Sequence, residues 1–198
     1  MSYVRLGPLA LSLVAVLLVG AVGGGAQDVT EVTLKGAFIF NFARFTEWPP
    51  DALPPSSALS ACVVGDAAVS GALMRVVSGS GHRLNGRTVR VSSFADHDPS
   101  LSQCHVLYVA GLARTRMVEI VVRLRETPVL TVSDDETFIK AGGIIQTFVE
   151  NGNMRFRINP RSAKRARLQL SSRLLALAVV VDEDPRPPVL TGPRAPVR

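Results

Sequence analysis

The chain has 198 residues, 47% of them hydrophobic and 6% aromatic, with a formal net charge of +6. That balance excludes a disordered or fibrous protein, and the length suits one full domain rather than several. A basic excess admits nucleic acid or an anionic surface as a partner, and the amino terminus decides between them.

Residues 1–26 read as a secretory signal peptide. Arg5 precedes an apolar run from Leu9 to Val22, broken at Ser12 and Gly20, and the small residues Gly23-Gly24-Gly25-Ala26 lead to Gln27. A membrane anchor is the competing reading, because the run approaches the lower length of a spanning helix. The small-residue exit into Gln27-Asp28 favours cleavage, and no cysteine follows closely enough for a lipid anchor. About 170 residues then remain, enough for one hydrophobic core, and none of their apolar stretches is long enough to span a bilayer. Export argues against nucleic acid and leaves a solvated basic face that could lie near anionic head groups.

The domain is expected over residues 27–181. Asp28-x-x-Glu31 has the form of a capping box. Leu34, Phe38, Phe42 and Phe45 then recur at helical spacing, widened by Ala37 and Ile39, with Phe40 off the stripe. This helix either packs in the core or offers an aromatic partner surface around Phe40, Arg44 and Trp48; Pro49-Pro50 stops it at Trp48. After a Pro/Ser-rich link from Asp51 to Ser60, strands are predicted at Ala61–Val64, Thr88–Val91, Cys104–Val109 and Pro128–Val132. Helices are predicted at Val69–Val77 and Arg114–Arg125, the latter with Met117, Ile120, Val121 and Leu124 inward. Asn85-Gly86 marks a turn, and Asn151-Gly152 between Ile144–Glu150 and Met154–Ile158 marks a hairpin.

Asn159-Pro160 is a helix start, with Ala163, Ala166 and Leu168 inward. Leu168-Gln169-Leu170 alternates like a strand, and Ser171 can cap a second helix through Leu174, Leu175, Leu177 and Ala178; one continuous helix to Val181 is the alternative. Residues 182–198 are rich in Pro and Arg without apolar periodicity and are expected to be disordered. The order of elements predicts a single-domain layered α/β sandwich: a mostly parallel sheet, helices on both faces, and a C-terminal antiparallel hairpin.

Cys62 and Cys104 are the two cysteines, and an oxidising compartment favours their pairing across neighbouring strands, at the same end of both. A metal pair with His105 or His82 is the rival, but it lacks compact ligand spacing. No metal or other cofactor is expected. An enzyme needs a constellation, and none assembles. Asp134-Asp135 with Lys140 faintly suggests a phosphoacceptor pocket, though adjacent carboxylates at a strand end more often cap a helix. Gly65-Asp66 ends a strand where open α/β sheets bind ligands, which leaves a small-molecule pocket open.

Three groups of segments together resemble a known family. They are the opening Lys35-Gly36-Ala37-Phe38-Ile39-Phe40-Asn41-Phe42-Ala43-Arg44-Phe45-Thr46-Glu47-Trp48-Pro49, the two cysteine-bearing strands, and the closing Gly142-Gly143-Ile144-Ile145, Arg155-Phe156-Arg157-Ile158-Asn159 and Ser171-Ser172-Arg173-Leu174-Leu175-Ala176-Leu177-Ala178. The chain resembles the YfiR-like periplasmic proteins over nearly all of its mature length. The resemblance implies a non-enzymatic repressor that binds the periplasmic domain of a membrane-bound diguanylate cyclase, lowering cyclic di-GMP and biofilm formation. It also implies a homodimer, and a Cys62–Cys104 bridge in the body of the domain. A second cysteine pair of some members is absent here, and Arg167 stands where members commonly have glycine. The expected contact face draws on Phe156, Arg157, Arg161 and Leu174, aromatic and Arg side chains being common interface anchors. A periplasmic ligand-binding or stress-sensing module without a cyclase target is the second reading.

Overall fold

The computed structural model describes residues 24–182, with side chains from Glu31 onward. The expected signal peptide and tail lie outside these residues, apart from Gly24 to Ala26 and Asp182. Helix α1 runs Gly24–Arg44 and leads through β1 (Thr46–Glu47) to β2 (Leu59–Val64). Then come α2 (Ala67–Gly79), β3 (Arg83–Leu84), β4 (Arg87–Phe94), a 3-10 turn over Pro99–Gln103, and β5 (Val106–Val109). Helix α3 (Arg114–Leu124), β6 (Leu130–Ser133), α4 (Phe138–Ala141), β7 (Ile145–Glu150) and β8 (Asn153–Ile158) follow. The chain closes with α5 (Pro160–Arg165), β9 (Gln169–Leu170), α6 (Ser172–Leu177) and β10 (Val179–Val180).

Eight strands form one sheet in the order β10-β8-β7-β6-β5-β2-β4-β3, and β1 pairs with β9 in a small antiparallel ribbon. From β4 to β7 every pairing is parallel. Parallel strands buried on both faces read as unbroken apolar runs, which is why β2, β5 and β6 stand out in the sequence. Alternation then sends their side chains into two cores. Ala61, Val63, Val106 and Tyr108 meet Ile39 and Phe42 of α1 and Val69 and Leu73 of α2. Cys62, Val64, Leu107 and Val109 meet Met117, Ile120, Val121 and Leu124 of α3. The α/β sandwich with helices on both faces is therefore the observed fold.

The facing of α1 differs from expectation. Leu34 is exposed, whereas Gly36, Ile39, Phe42 and Ala43 are buried. Gly36 explains the rotation: a Cβ there would lie 2.9 Å from backbone atoms of Ala72 and Leu73, so α2 crosses against a residue with no side chain. Hydrophobic periodicity cannot see such a contact. Helix α1 also begins before Asp28, so the Asp28–Glu31 box lies inside it, and it ends at Arg44 rather than Trp48. The chain leaves early because Thr46 turns its hydroxyl onto the Phe42 carbonyl and β1 pairs with β9.

Strand β4 is longer than Thr88–Val91, and β5 begins at Val106 because Cys104 closes the 3-10 turn. The Cys62–Cys104 disulfide is present with Cα atoms 6.0 Å apart. It joins the middle of β2, where Cys62 lies beside Leu107, to the approach to β5, so it does not tie matching strand ends. Both turn signals hold, Asn85-Gly86 and Asn151-Gly152 each placing two consecutive residues at positive φ, and the first also proves to join a hairpin, β3 with β4. Asn159 caps α5 by accepting the Ser162 N–H. The continuous C-terminal helix is excluded, because the chain breaks at Arg167 with φ +57° and Ser171 caps α6.

Candidate functional site

The small-molecule pocket left open beside Gly65-Asp66 is filled by the protein itself. The carboxylate of Asp66 is used to cap α2, accepting the Val69 N–H at 2.9 Å. A Cβ on Gly65 would lie 1.9 Å from the Ala110 carbonyl oxygen, and one on Gly111 would lie 2.9 Å from the Gly65 oxygen. Backbone thus meets backbone between the ends of β2 and β5, where the sheet order reverses. These contacts leave no room for a ligand between those loops.

A cavity of about 700 Å³ opens further along the same edge. Its origin is a mismatch of strand lengths. Ser133 ends β6 opposite Gln146, while β7 continues to Glu150; Thr147 still donates its hydroxyl to the Ser133 carbonyl at 3.4 Å, and Phe148–Glu150 run on past the end of the β6 ladder. The notch beside that free edge is bounded by Glu31 and Lys35 of α1, Lys140 of α4, and Arg157 of β8. Asp134, leaving β6, joins the α1 wall.

On that wall Lys35 donates to Asp134 Oδ2 at 2.7 Å and lies 2.9 Å from Glu31 Oε1. Burial alone would lower its pKa, but the hydrogen bonds and charges of the two carboxylates outweigh burial and hold the ammonium above its ordinary value. Behind them lies the hydroxyl of Tyr108, fully buried and without a hydrogen-bond partner among the described residues. Burial, with the Asp134 charge beside it, raises that phenol far above its ordinary pKa. Asp135 folds back on its own loop, accepting the Thr137 N–H at 2.7 Å in a turn ahead of α4, so neither carboxylate is the N-cap residue of that helix, which is Thr137. The two carboxylates serve an ion pair and a turn.

Two polar groups of the β7–β8 pair line the cavity. Gln146 is 3% exposed. Arg157, opposite it in the β7–β8 register, stacks its guanidinium 3.9 Å from the centre of the Phe148 ring and has no carboxylate partner among them.

The expected contact residues separate. Phe156 is buried in an aromatic cluster, its ring centre 5.0 Å from Phe42 and 5.9 Å from Phe38, and Leu174 is buried in the same core. Neither side chain presents a surface, because both follow the inward alternation of their elements. Arg157 is half-buried in the cavity, and Arg161 is exposed and paired with Asp182. On the alternative face, Phe40 and Trp48 are half-buried against the core while Arg44 is exposed. Trp48 donates its indole N–H to the His105 carbonyl at 3.1 Å. His105 itself is structural: Nδ1 accepts the Ser60 N–H at 2.9 Å, and Nε2 lies 3.2 Å from the Ala52 oxygen. Among the described residues no cluster of three or more His, Cys, Asp or Glu could hold a metal ion, and no helix is long and apolar enough to cross a membrane.

The sequence signal that could have found the cavity is Gln146-Thr147, a polar pair between the apolar Ile145 and Phe148-Val149 of one strand. A family model described as YfiR/HmsC-like matches residues 32–179. Among solved structures, the crystal structure of a conserved domain protein from Vibrio cholerae O1 biovar El Tor str. N16961 is similar at a TM-score of 0.47 and 14% identity. The likeness covers 75% of this chain and 59% of that one. No curated protein matches the chain.

Proposed function

This chain belongs to the YfiR/HmsC-like family, and from that premise we propose that it is a periplasmic repressor of an inner-membrane diguanylate cyclase. It binds the periplasmic sensor domain of the cyclase, acts as a homodimer, and lowers cyclic di-GMP and biofilm formation. The observation that carries this reading is the family match, which takes in the domain from Val32 in α1 to Val179 in β10. The mechanism needs no bond-making. A repressor that prefers the inactive sensor state shifts the population toward it, and taking the cyclase from nearly all active to nearly all inactive requires a preference of about 10⁴-fold. The contact face includes the exposed Arg161 and the rim set by Arg157; Arg44 is the alternative anchor.

Deleting the gene in a strain that expresses the cognate cyclase raises cyclic di-GMP and attachment. The purified protein captures the cyclase periplasmic domain, and charge reversal at Arg157 and Arg161 together abolishes capture without lowering the melting temperature. Unchanged cyclic di-GMP after deletion, with the cyclase shown to be present, refutes repression. One observation favours the second reading, a ligand-binding or stress-sensing module: the cavity of about 700 Å³, a size within the range of small-molecule sites.

A further inference from the structure

We propose that the notch beside β7 binds a small monocarboxylate with an apolar body, its carboxylate gripped by Arg157 and Gln146. The inference develops the cavity reading and is independent of any cyclase.

Three observations carry it. Gln146 lines the cavity, with its side-chain amide available there. Arg157 stands directly across the strand pair from it, with one guanidinium face on Phe148 and no anion on its edges among the described residues. A guanidinium edge matches the two oxygens of a carboxylate, and the Gln146 amide can donate to one of those oxygens.

The charge of the lining sets the class. Lys35, Lys140 and Arg157 are matched by Glu31, Asp134 and Glu136, so the walls sum to zero and a polyanion would be uncompensated. Lys35 is already committed to Asp134 and Glu31, which leaves Arg157 as the buried-side cation facing a ligand. Phe148, Val149, Met154 and Val181 supply the apolar seat. The location, beyond the carboxyl end of β6, is the side of an open parallel sheet on which ligands bind. The reversal point itself is closed by the Gly65–Ala110 backbone contact.

The test is calorimetric titration of the full mature chain with 3-phenylpropionate, with the uncharged 3-phenylpropanamide and inorganic phosphate as comparisons. The acid is expected to bind once per chain, the amide about tenfold or more weaker, and phosphate not at all. Arg157→Met keeps an apolar arm over Phe148 without the charge, and Gln146→Leu removes the amide; each should weaken the acid by about tenfold, a loss of 1.4 kcal/mol. No binding at millimolar acid, equal affinity for acid and amide, phosphate binding as tightly as the acid, or full affinity in Arg157→Met each overturns the proposal. The comparison of acid with amide uses the unmutated protein, so a misfolded variant does not decide it. Because no cyclase is in the cell, failure here leaves the repression reading standing.

Discussion

Replacing both Cys62 and Cys104 by alanine should remove about 4 kcal/mol of stability at 25 °C. The disulfide closes a loop with a sequence separation of 42, and the chain-entropy relation for a loop of that length gives about 4 kcal/mol. Domains of this kind hold about 5–15 kcal/mol in total, so the variant folds but with little reserve. The loop encloses the end of β2, α2, β3, β4 and the 3-10 turn, which is the whole first crossover of the sheet. The assay is urea unfolding of the oxidised protein, the reduced protein and the double variant. With a slope of about 2 kcal/mol/M, the midpoint should fall by about 2 M in the last two. Amide exchange should accelerate toward global unfolding first in α2 and β4. The reduced protein keeps both sulfur atoms, so agreement between it and the variant assigns the loss to the closed loop rather than to packing. If reduction leaves the midpoint unmoved, the bridge constrains nothing that the two cores do not already hold, and the reasoning fails.

Phe156→Ala should cost about 3–5 kcal/mol, the range for a buried aromatic, because its ring fills the space between Phe38 and Phe42; a melting temperature within a degree of wild type would return Phe156 to the surface. Arg167→Gly should stabilise only slightly. It relieves about 1–2 kcal/mol of left-handed strain at φ +57°, against loss of the exposed pair with Asp51 and about 0.4–1 kcal/mol for the greater freedom of glycine in the unfolded chain. A lower urea midpoint in that variant refutes the balance. Stability should fall as pH drops below 6.5, because burial first, then the Arg87 charge, lowers the His105 pKa against the opposing hydrogen bond to Ala52. The unfolded chain then binds the proton more readily than the folded one, and the stability present above pH 6.5 is lost on acidification. Urea midpoints at pH 7.5 and 5 should differ more in wild type than in His105→Asn, and equal differences would refute the assignment.

The sheet was legible because parallel strands covered on both faces cannot hide: Cys62-Val63-Val64 and Val106-Leu107-Tyr108-Val109 admit few other readings. Helix α3 and the two Asn-Gly turns were legible for the same reason, since each rests on local chemistry. What escaped was decided by non-local contact. The facing of α1 turns on Gly36, which contributes nothing to a hydrophobic pattern. Strands β1 and β10 have two residues each and exist only through their partners, whereas β9 was legible in the alternation of Leu168-Gln169-Leu170. Phe156 and Leu174 carry the same apolar signal whether they face a core or a partner. The cavity needed the ion pair between Lys35 and Asp134, which meet only after the sheet has formed.

The ribbon of β1 and β9 has a consequence for the order in which the chain can mature. Thr46 pairs with Leu170, and the rings of Phe38 and Phe42 rest on Phe156, so the first helix is completed by the last elements to be made. A chain delivered amino end first must therefore carry an aromatic helix without its cover until almost the whole domain has arrived. Long-range closure of this kind slows folding and leaves apolar surface open to association in the meantime. An escort that shields α1 during delivery would act on that interval, and its loss would deplete the protein without altering the stability of molecules already folded.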